Sequence, residues 1–149
     1  MNWVEMIWTI MAAASLTLGF VHLLVWFKQR SRYASLAFFL LATSVAAFSA
    51  SELSMMRAPT PSAYAEALRW AHVPLCVIVL SIIGFVQFYF EAGRRWLAYA
   101  AIAFRLLALL LNFATGVNLN FQDVAGLGRA TLWGGVVVPV PIGLSLIHI

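Results

Sequence analysis

Five polar side chains that could do chemistry lie within or at the ends of otherwise apolar segments of this 149-residue chain: Glu52, Arg69, His72, Arg105 and Asn112. Such groups are costly in hydrocarbon, so each needs a polar partner, water or a function. Counted from the segment ends, all but Arg105 fall near one membrane boundary. Converging from separate helices at that level, they would form a ligand pocket or a polar lock. The alternative is that they are interfacial residues paired with one another or with water.

Arg105 differs from the other four because of its depth. It lies about nine residues into its segment, and therefore about 13 Å from the nearer boundary, close to mid-membrane. No carboxylate lies at the same depth in the visible segments. We considered three partners: Glu52, a backbone carbonyl, or a residue of helices beyond the given sequence. Arg105 is the residue that packing alone explains least.

The chain carries no catalytic or metal-binding motif. There is no glycine-rich phosphate loop, no HExxH and no nucleophile beside a base. We expect His22 and His72 to lie about 20 Å apart or more, so they cannot share a metal or a haem. For His72 we considered proton-linked sensing and a structural hydrogen bond. With Cys76 as the only cysteine, we assign no catalytic residue, metal or cofactor to this chain.

The elements that position these residues are four long apolar runs. Each is long enough to cross a hydrocarbon core of about 30 Å as a helix. Apolar residues make up 64% of the chain and charged residues only 9%, whereas soluble domains carry about 25% charge. The sequence predicts an all-α, polytopic transmembrane helix bundle with membrane lipid as its partner. The spans are 3–27, 33–56, 68–90 and 96–113.

Basic residues predict the orientation. Lys28, Arg30, Arg32, Arg94 and Arg95 fall on one side if all four runs cross, against three basic residues on the other side. Because short basic loops stay in the cytoplasm, we expect an extracytoplasmic N-terminus in a bacterial inner membrane. The basic residues form no single patch, so nucleic acid is not an expected partner.

Local signals refine the spans. Thr60 followed by Pro61 predicts the start of the third helix ahead of its membrane crossing, and Pro74 should kink that helix. Small residues spaced four apart let helices approach closely in lipid. They are Ser15 and Gly19, and Ala42, Ala46 and Ala50.

The C-terminal part changes character. Residues 114–129 have the composition of a loop. The apolar stretch from Thr131 is interrupted by Pro139 and Pro141, and we considered it as a truncated fifth span. The last six residues, 144–149, resemble translated sequencing-adapter read-through. We therefore expect a membrane-embedded domain over residues 1–143 that is the N-terminal fragment of a longer protein, followed by a non-native tail.

Three segments carry a resemblance to a known group of proteins. They are Glu52-Leu-Ser-Met-Met-Arg57, Leu68-Arg-Trp-Ala-His-Val-Pro74, and Arg105 to Phe113, which continues to Asn118-Leu-Asn120. The chain resembles, from its first helix to about Gln122, the multi-pass and often seven-helix input region of bacterial sensor histidine kinases.

The resemblance implies a signal-input module for a two-component system, relaying an outer-leaflet or extracytoplasmic cue, such as an unknown small ligand, to PAS and kinase domains. It also implies a homodimer for the full-length protein. The phospho-acceptor helix and the ATP-binding domain are absent from the sequence, so we expect no enzymatic activity from this part. Two alternatives remain: a small transporter or permease subunit that uses Arg105 and Glu52 along a substrate path, and a structural membrane anchor.

Overall fold

The computed structural model describes residues 2–90, 94–114 and 121–145, which form four long helices and a β-hairpin. All four helices are long and apolar enough to cross a membrane. This confirms the predicted helical bundle with four spans and indicates a membrane protein. The elements are α1 (Trp3–Lys28), α2 (Tyr33–Met56), α3 (Pro61–Tyr89), α4 (Arg95–Ala114), β1 (Phe121–Thr131), a single 3-10 turn (Trp133–Gly135) and β2 (Val137–Ser145).

Side chains cap the starts of two helices. In α1, the Asn2 side chain accepts a hydrogen bond from the Glu5 backbone N–H at 2.8 Å, and the Glu5 carboxylate accepts one from the Asn2 backbone N–H at 3.3 Å. In α3, the Thr60 hydroxyl accepts from the Ala63 backbone N–H at 3.2 Å. These bonds satisfy backbone donors that the first turn leaves open. The predicted start of the third helix at Thr60 is thereby confirmed.

Consecutive helices pack against each other, with α2 and α3 in the middle and α1 and α4 at the two sides. The outer faces of the flanking helices are open: Ile10 on α1 is 59% exposed, and Phe104 on α4 is 73% exposed. In a bilayer these apolar faces meet lipid, so their exposure carries no penalty.

Small residues bring α1 and α2 together. Gly19 is buried, and a Cβ added there would lie 3.2 Å from the Cβ of Ala42. Ala42, Ala46 and Ser49 are buried along α2, whereas Ala50 is exposed. An α-helix has 3.6 residues per turn, so residues spaced exactly four apart move gradually around the helix and away from the interface. Ser49 therefore takes the buried place that the spacing had given to Ala50.

The C-terminal segment forms an antiparallel hairpin. β1 pairs with β2 from Thr131 opposite Val137 to Phe121 opposite Ser145. The loop prediction for residues 114–129 is therefore wrong from Phe121 onward. In the described part of the chain, the apolar stretch considered as a truncated fifth span forms the 3-10 turn and β2. β2 runs two residues into the predicted tail.

The hairpin has a physical explanation in its sequence. Valine favours strands, and Pro139 and Pro141 would disrupt a helix but are tolerated in an edge strand. Gly134 and Gly135 adopt φ angles of 80° and 76° in the connection, a conformation that glycine adopts without steric cost. The composition of residues 114–129 predicts a loop because glycine, asparagine and aspartate also mark turns.

The hairpin lies at the end of the bundle where α1 begins and α2 passes into α3. The Trp3 indole N–H donates to the Trp133 carbonyl at 3.1 Å, and the strands contact α2 and α3. At the same end the Arg57 guanidinium forms a 3.2 Å ion pair with Glu5. We name this the N-terminal end of the bundle, and the opposite end, which holds Lys28 and Arg95, the basic end.

Candidate functional site

The candidate site lies between α3 and α4, in the half of the bundle nearer the N-terminal end. It contains Arg69 and His72 from α3, and Arg105 and Asn112 from α4. On α3, positions three apart lie on one face. On α4, positions seven apart lie on one face. The structure therefore brings together four of the five polar residues singled out from the sequence.

Arg69 and Asn112 each bond to the backbone of the other's helix. The Asn112 side-chain amide donates to the Arg69 carbonyl at 3.1 Å. The Arg69 guanidinium donates through Nη2 to the Phe113 carbonyl at 2.8 Å, and its Cζ lies 5.0 Å from the centroid of the Phe113 ring. Asn112 is completely buried. We call this pair of bonds the Arg69–Asn112 latch.

Arg105 and His72 make a second, weaker connection one turn along α3. Arg105 Nη2 donates to the His72 carbonyl at 3.4 Å, near the long limit for a hydrogen bond. Of the three partners considered for Arg105, the structure provides the backbone carbonyl. The arginine thus reaches across the helix interface to a neutral oxygen.

His72 is buried, with its Nδ1 2.9 Å from the Leu68 carbonyl. Because a carbonyl only accepts, the Nδ1 carries the proton and donates. The hydrogen-bonded structural role considered for His72 is thereby present. Two residues further on, Pro74 has no N–H to offer the Trp70 carbonyl, which loosens the helical bonding beside the site.

Arg69 and Arg105 have N–H donors that form no hydrogen bond. The Nε atoms of both Arg69 and Arg105 are buried without a hydrogen-bond partner, and each guanidinium carries five N–H groups. Within the described ranges, neither arginine forms an ion pair with a carboxylate. The interface is therefore electropositive and rich in donors. Its chemistry suits a carboxylate, a phosphate or another acceptor.

Glu52 stands apart from this cluster. It is partly buried near the end of α2, close enough to Tyr64 of α3 for an electrostatic interaction with the tyrosine hydroxyl. Residues 2–90, 94–114 and 121–145 contain no hydrogen bond or ion pair between Glu52 and either arginine. The mutual pairing of Glu52 with Arg69, considered from the sequence, is not formed.

His22 lies outside the site. Its ring packs on Phe38 with centroids 4.1 Å apart, and its Nδ1 is buried without a partner. In the part of the chain that the structure describes, no group of three or more His, Cys, Asp or Glu residues could hold a metal ion. Asn118 and Asn120, which belong to the third segment that carries the resemblance, lie outside the described residues.

Sequence reasoning missed two contacts at the N-terminal end. These are the Glu5–Arg57 ion pair and the hydrogen bond from Trp3 to the Trp133 carbonyl. The alternation of the four spans already placed Glu5 and Arg57 on one side of the membrane, and that signal could have suggested their pairing. No comparable signal pointed to Trp133, because its segment was interpreted as an incomplete span.

No protein-family model, curated protein or solved structure matches this chain. The chemistry of the site therefore rests on its own residues.

Proposed function

We propose that this chain is a membrane-embedded signal-input domain in which α4 changes its position against α3. The observation that carries the proposal is the Arg69–Asn112 latch, two hydrogen bonds that cross between the helices in opposite directions. Helix shifts of this kind occur between discrete packed arrangements. A cue that competes for the latch would favour one arrangement over the other.

The position of α4 supports this role. It is the last of the four described helices, and its main helix contact is with α3. Much of its remaining surface is open, with Tyr99 68% and Leu110 66% exposed. Because lipid tails are as apolar as leucine, these exposed faces do not hold α4 in one place. The polar contacts to α3 therefore dominate the choice between its positions.

The free donors of the arginines support a specific kind of cue. A ligand, lipid headgroup or quinone that presents oxygen atoms would find unused N–H groups on Arg69 and Arg105. A change in proton occupancy of His72 would alter the charge at the same interface, whereas Glu52 would act from outside it. Each of these cues acts by binding one arrangement of α3 and α4 better than the other.

We further propose that the domain serves a bacterial two-component sensor histidine kinase, in which PAS and kinase domains follow it. This identification depends on the sequence resemblance. Two of the three segments that carry the resemblance, Leu68–Pro74 and Arg105–Phe113, are the ones that meet in the site. Kinase activity would belong to the portion that follows, and the full-length protein would work as a homodimer.

The proposed location is the bacterial inner membrane, with the N-terminus extracytoplasmic. The support is the excess of basic residues at the basic end of the bundle. In this orientation the latch lies in the outer half of the membrane. A cue from outside would then act on the end of α4 that contains Asn112, and the other end of the helix would carry the displacement towards the cytoplasm.

The transporter alternative requires Arg105 and Glu52 to line the same substrate path. Among the described residues Arg105 bonds to the His72 carbonyl, and no hydrogen bond or ion pair joins it to Glu52. A transporter should also contain repeated or broken helices in corresponding positions, and Pro74 is isolated in this respect. The input role accounts for the polar α3–α4 interface directly, and we prefer it to the transporter and to a structural anchor.

Two experiments test the proposal. Long-read sequencing of the locus beyond the codon for Gly143 should reveal a continuous frame into PAS modules and a histidine phospho-acceptor box; a stop codon or a set of transport-like helices would remove the kinase. In the full-length protein, Glu52→Gln and His72→Ala should then change autophosphorylation in membrane vesicles while the helices stay folded. Wild-type signalling from both variants would contradict the sensing role.

A further inference from the structure

Two apolar grooves flank α3 near the basic end of the bundle. The groove between α3 and α4 has a volume of about 390 Å³, and the groove between α2 and α3 about 380 Å³. Both are lined by Leu80, Gly84 and Phe88, so α3 forms a ridge between them. These eight residue steps extend about 12 Å along the helix axis. Both grooves border this stretch of α3 and are lined mainly by apolar side chains, as an acyl chain would require.

The mouth of this region is basic. Arg95 lines the α3–α4 groove together with Gln87 and Tyr99. A third depression of about 320 Å³ adjoins Phe88 on its other side and is lined by Arg32. Neither arginine forms an ion pair within the part of the chain that the structure describes. Glu91, in the connection between α3 and α4, lies outside the described residues.

We propose that this region is a binding site for one anionic phospholipid of the bilayer. Its two acyl chains occupy the grooves on the two sides of the α3 ridge. Its phosphate lies at the mouth, in contact with Arg95, and Arg32 adds positive charge from the adjoining depression. Tyr33 and Tyr99 line the same region and suit the membrane–water interface.

The charge of the headgroup must decide which lipid binds. An acyl chain is in apolar surroundings whether it occupies the groove or the bulk bilayer, so burial in the groove adds little hydrophobic free energy. Basic residues near the membrane surface each attract anionic lipid by an amount that corresponds to about fivefold in affinity. The site should therefore distinguish anionic from zwitterionic lipids with the same acyl chains. It lies at the opposite end from the latch and is independent of the proposed signalling role.

The test uses the 149-residue chain in detergent, mixed with equal amounts of phosphatidylglycerol and phosphatidylcholine of identical acyl composition. Native mass spectrometry should show one retained phosphatidylglycerol per chain. Arg95→Gln should weaken that retention about fivefold, and Arg32→Gln should weaken it in the same direction. The matched control is Arg129→Gln, which removes one positive charge at the N-terminal end and should leave retention unchanged.

A second pair of variants tests the grooves without changing charge. A Cβ at Gly84 would meet its neighbours at 3.7 Å and 3.8 Å, which is ordinary contact, so Gly84→Ala should bind lipid normally. Gly84→Leu should fill the space that both grooves share and reduce retention, because the acyl chains would then prevent the phosphate from reaching Arg95. If Gly84→Leu does not fold, Ala98→Leu fills the α3–α4 groove from its α4 wall instead and should reduce retention.

Three results would overturn the proposal. The first is equal retention of the two lipids. The second is an equal effect of Arg95→Gln and Arg129→Gln, since general surface attraction would then suffice. The third is wild-type retention by a folded groove-filling variant, because the acyl chains would then lie elsewhere.

Discussion

Asn112 of α4 and Arg69 of α3 each hydrogen-bond to the backbone of the opposite helix, across 3.1 Å from Asn112 to the Arg69 carbonyl and 2.8 Å from Arg69 to the Phe113 carbonyl. Backbone carbonyls in a helix keep their positions when side chains change, so the acceptors of this latch are preorganised. A shift of α4 along its axis breaks both bonds together. This geometry couples the position of α4 to any molecule that competes for the same donors.

The latch should make a modest contribution to stability. Hydrogen bonds between membrane helices contribute about 0.6 kcal/mol on average. We expect Asn112→Leu to lower the free energy of unfolding by about 0.5 to 1 kcal/mol, because the bond to Arg69 is lost. Reversible unfolding in mixed micelles measures this change. Leu110→Ala, at a 66% exposed position of the same helix, is the control and should have little effect. An unchanged Asn112→Leu variant would mean that the latch does not hold α4.

Arg105 should cost stability instead of providing it. An arginine near the centre of a membrane helix costs about 2.5 to 3.5 kcal/mol on insertion scales. The hydrogen bond from Arg105 to the His72 carbonyl is long, at 3.4 Å. We expect Arg105→Leu to be as stable as the wild type or more stable, by up to about 2 kcal/mol. Reversible unfolding in mixed micelles measures the stability of Arg105→Leu relative to the wild type. A large loss of stability would reveal a strong partner for the guanidinium outside the described residues. A gain, accompanied by altered signalling, would mark Arg105 as retained for function.

Gly19 in α1 and Gly84 in α3 should respond differently to substitution by alanine. Replacing glycine by alanine in a helix gains up to about 1 kcal/mol. At Gly84 the new Cβ finds ordinary contacts, so we expect Gly84→Ala to gain stability. At Gly19 it would approach the Ala42 Cβ to 3.2 Å, which forces α1 away from α2. Gly19→Ala should therefore lose that gain, and Gly19→Leu should be clearly destabilised. Equal stabilisation by alanine at both sites would contradict the close approach of α1 and α2.

The hairpin should depend on its attachment to α1. Trp3→Phe removes the indole donor to the Trp133 carbonyl but keeps an aromatic ring. We expect faster amide hydrogen exchange in β1 and β2 of this variant, measured by mass spectrometry, because the hairpin opens more often. Trp96→Phe, at the basic end, is the matched control and should leave exchange in the strands unchanged. Identical exchange in the two variants would show that the hairpin is held by its other contacts.

The proposed orientation can be tested with single-cysteine reporters. The native cysteine, Cys76, is buried, and replacing it in a Cys76→Ser background leaves the introduced cysteine as the thiol that can be labelled. Ser62 is in the first turn of α3, at the N-terminal end of the bundle, and Ser31 is in the α1–α2 connection, at the basic end. Both positions are exposed, so we choose Ser62→Cys and Ser31→Cys as reporters. With an extracytoplasmic N-terminus, a membrane-impermeant maleimide should label Ser62→Cys in intact cells and Ser31→Cys only after lysis. The reverse pattern would invert the topology.

Much of the architecture was predictable because membrane spans depend on length and composition. The four apolar runs and the Thr60–Pro61 helix start are local properties, and the structure reproduces them closely. The hairpin was not predictable in the same way. Most of its residues are apolar, and the glycines and prolines within it are equally compatible with a loop or with an interrupted span.

The sequence by itself determined which residues are costly in a membrane and which end of the bundle each one occupies. Only the tertiary structure decided their partners: the His72 carbonyl for Arg105, Phe113 and Asn112 for Arg69, and no ion pair with Glu52 among the described residues. The physical reason is that span formation requires only hydrophobicity along the chain. Partner choice requires the rotation of each helix about its axis, and helices that are apolar on nearly every face carry little information about that rotation.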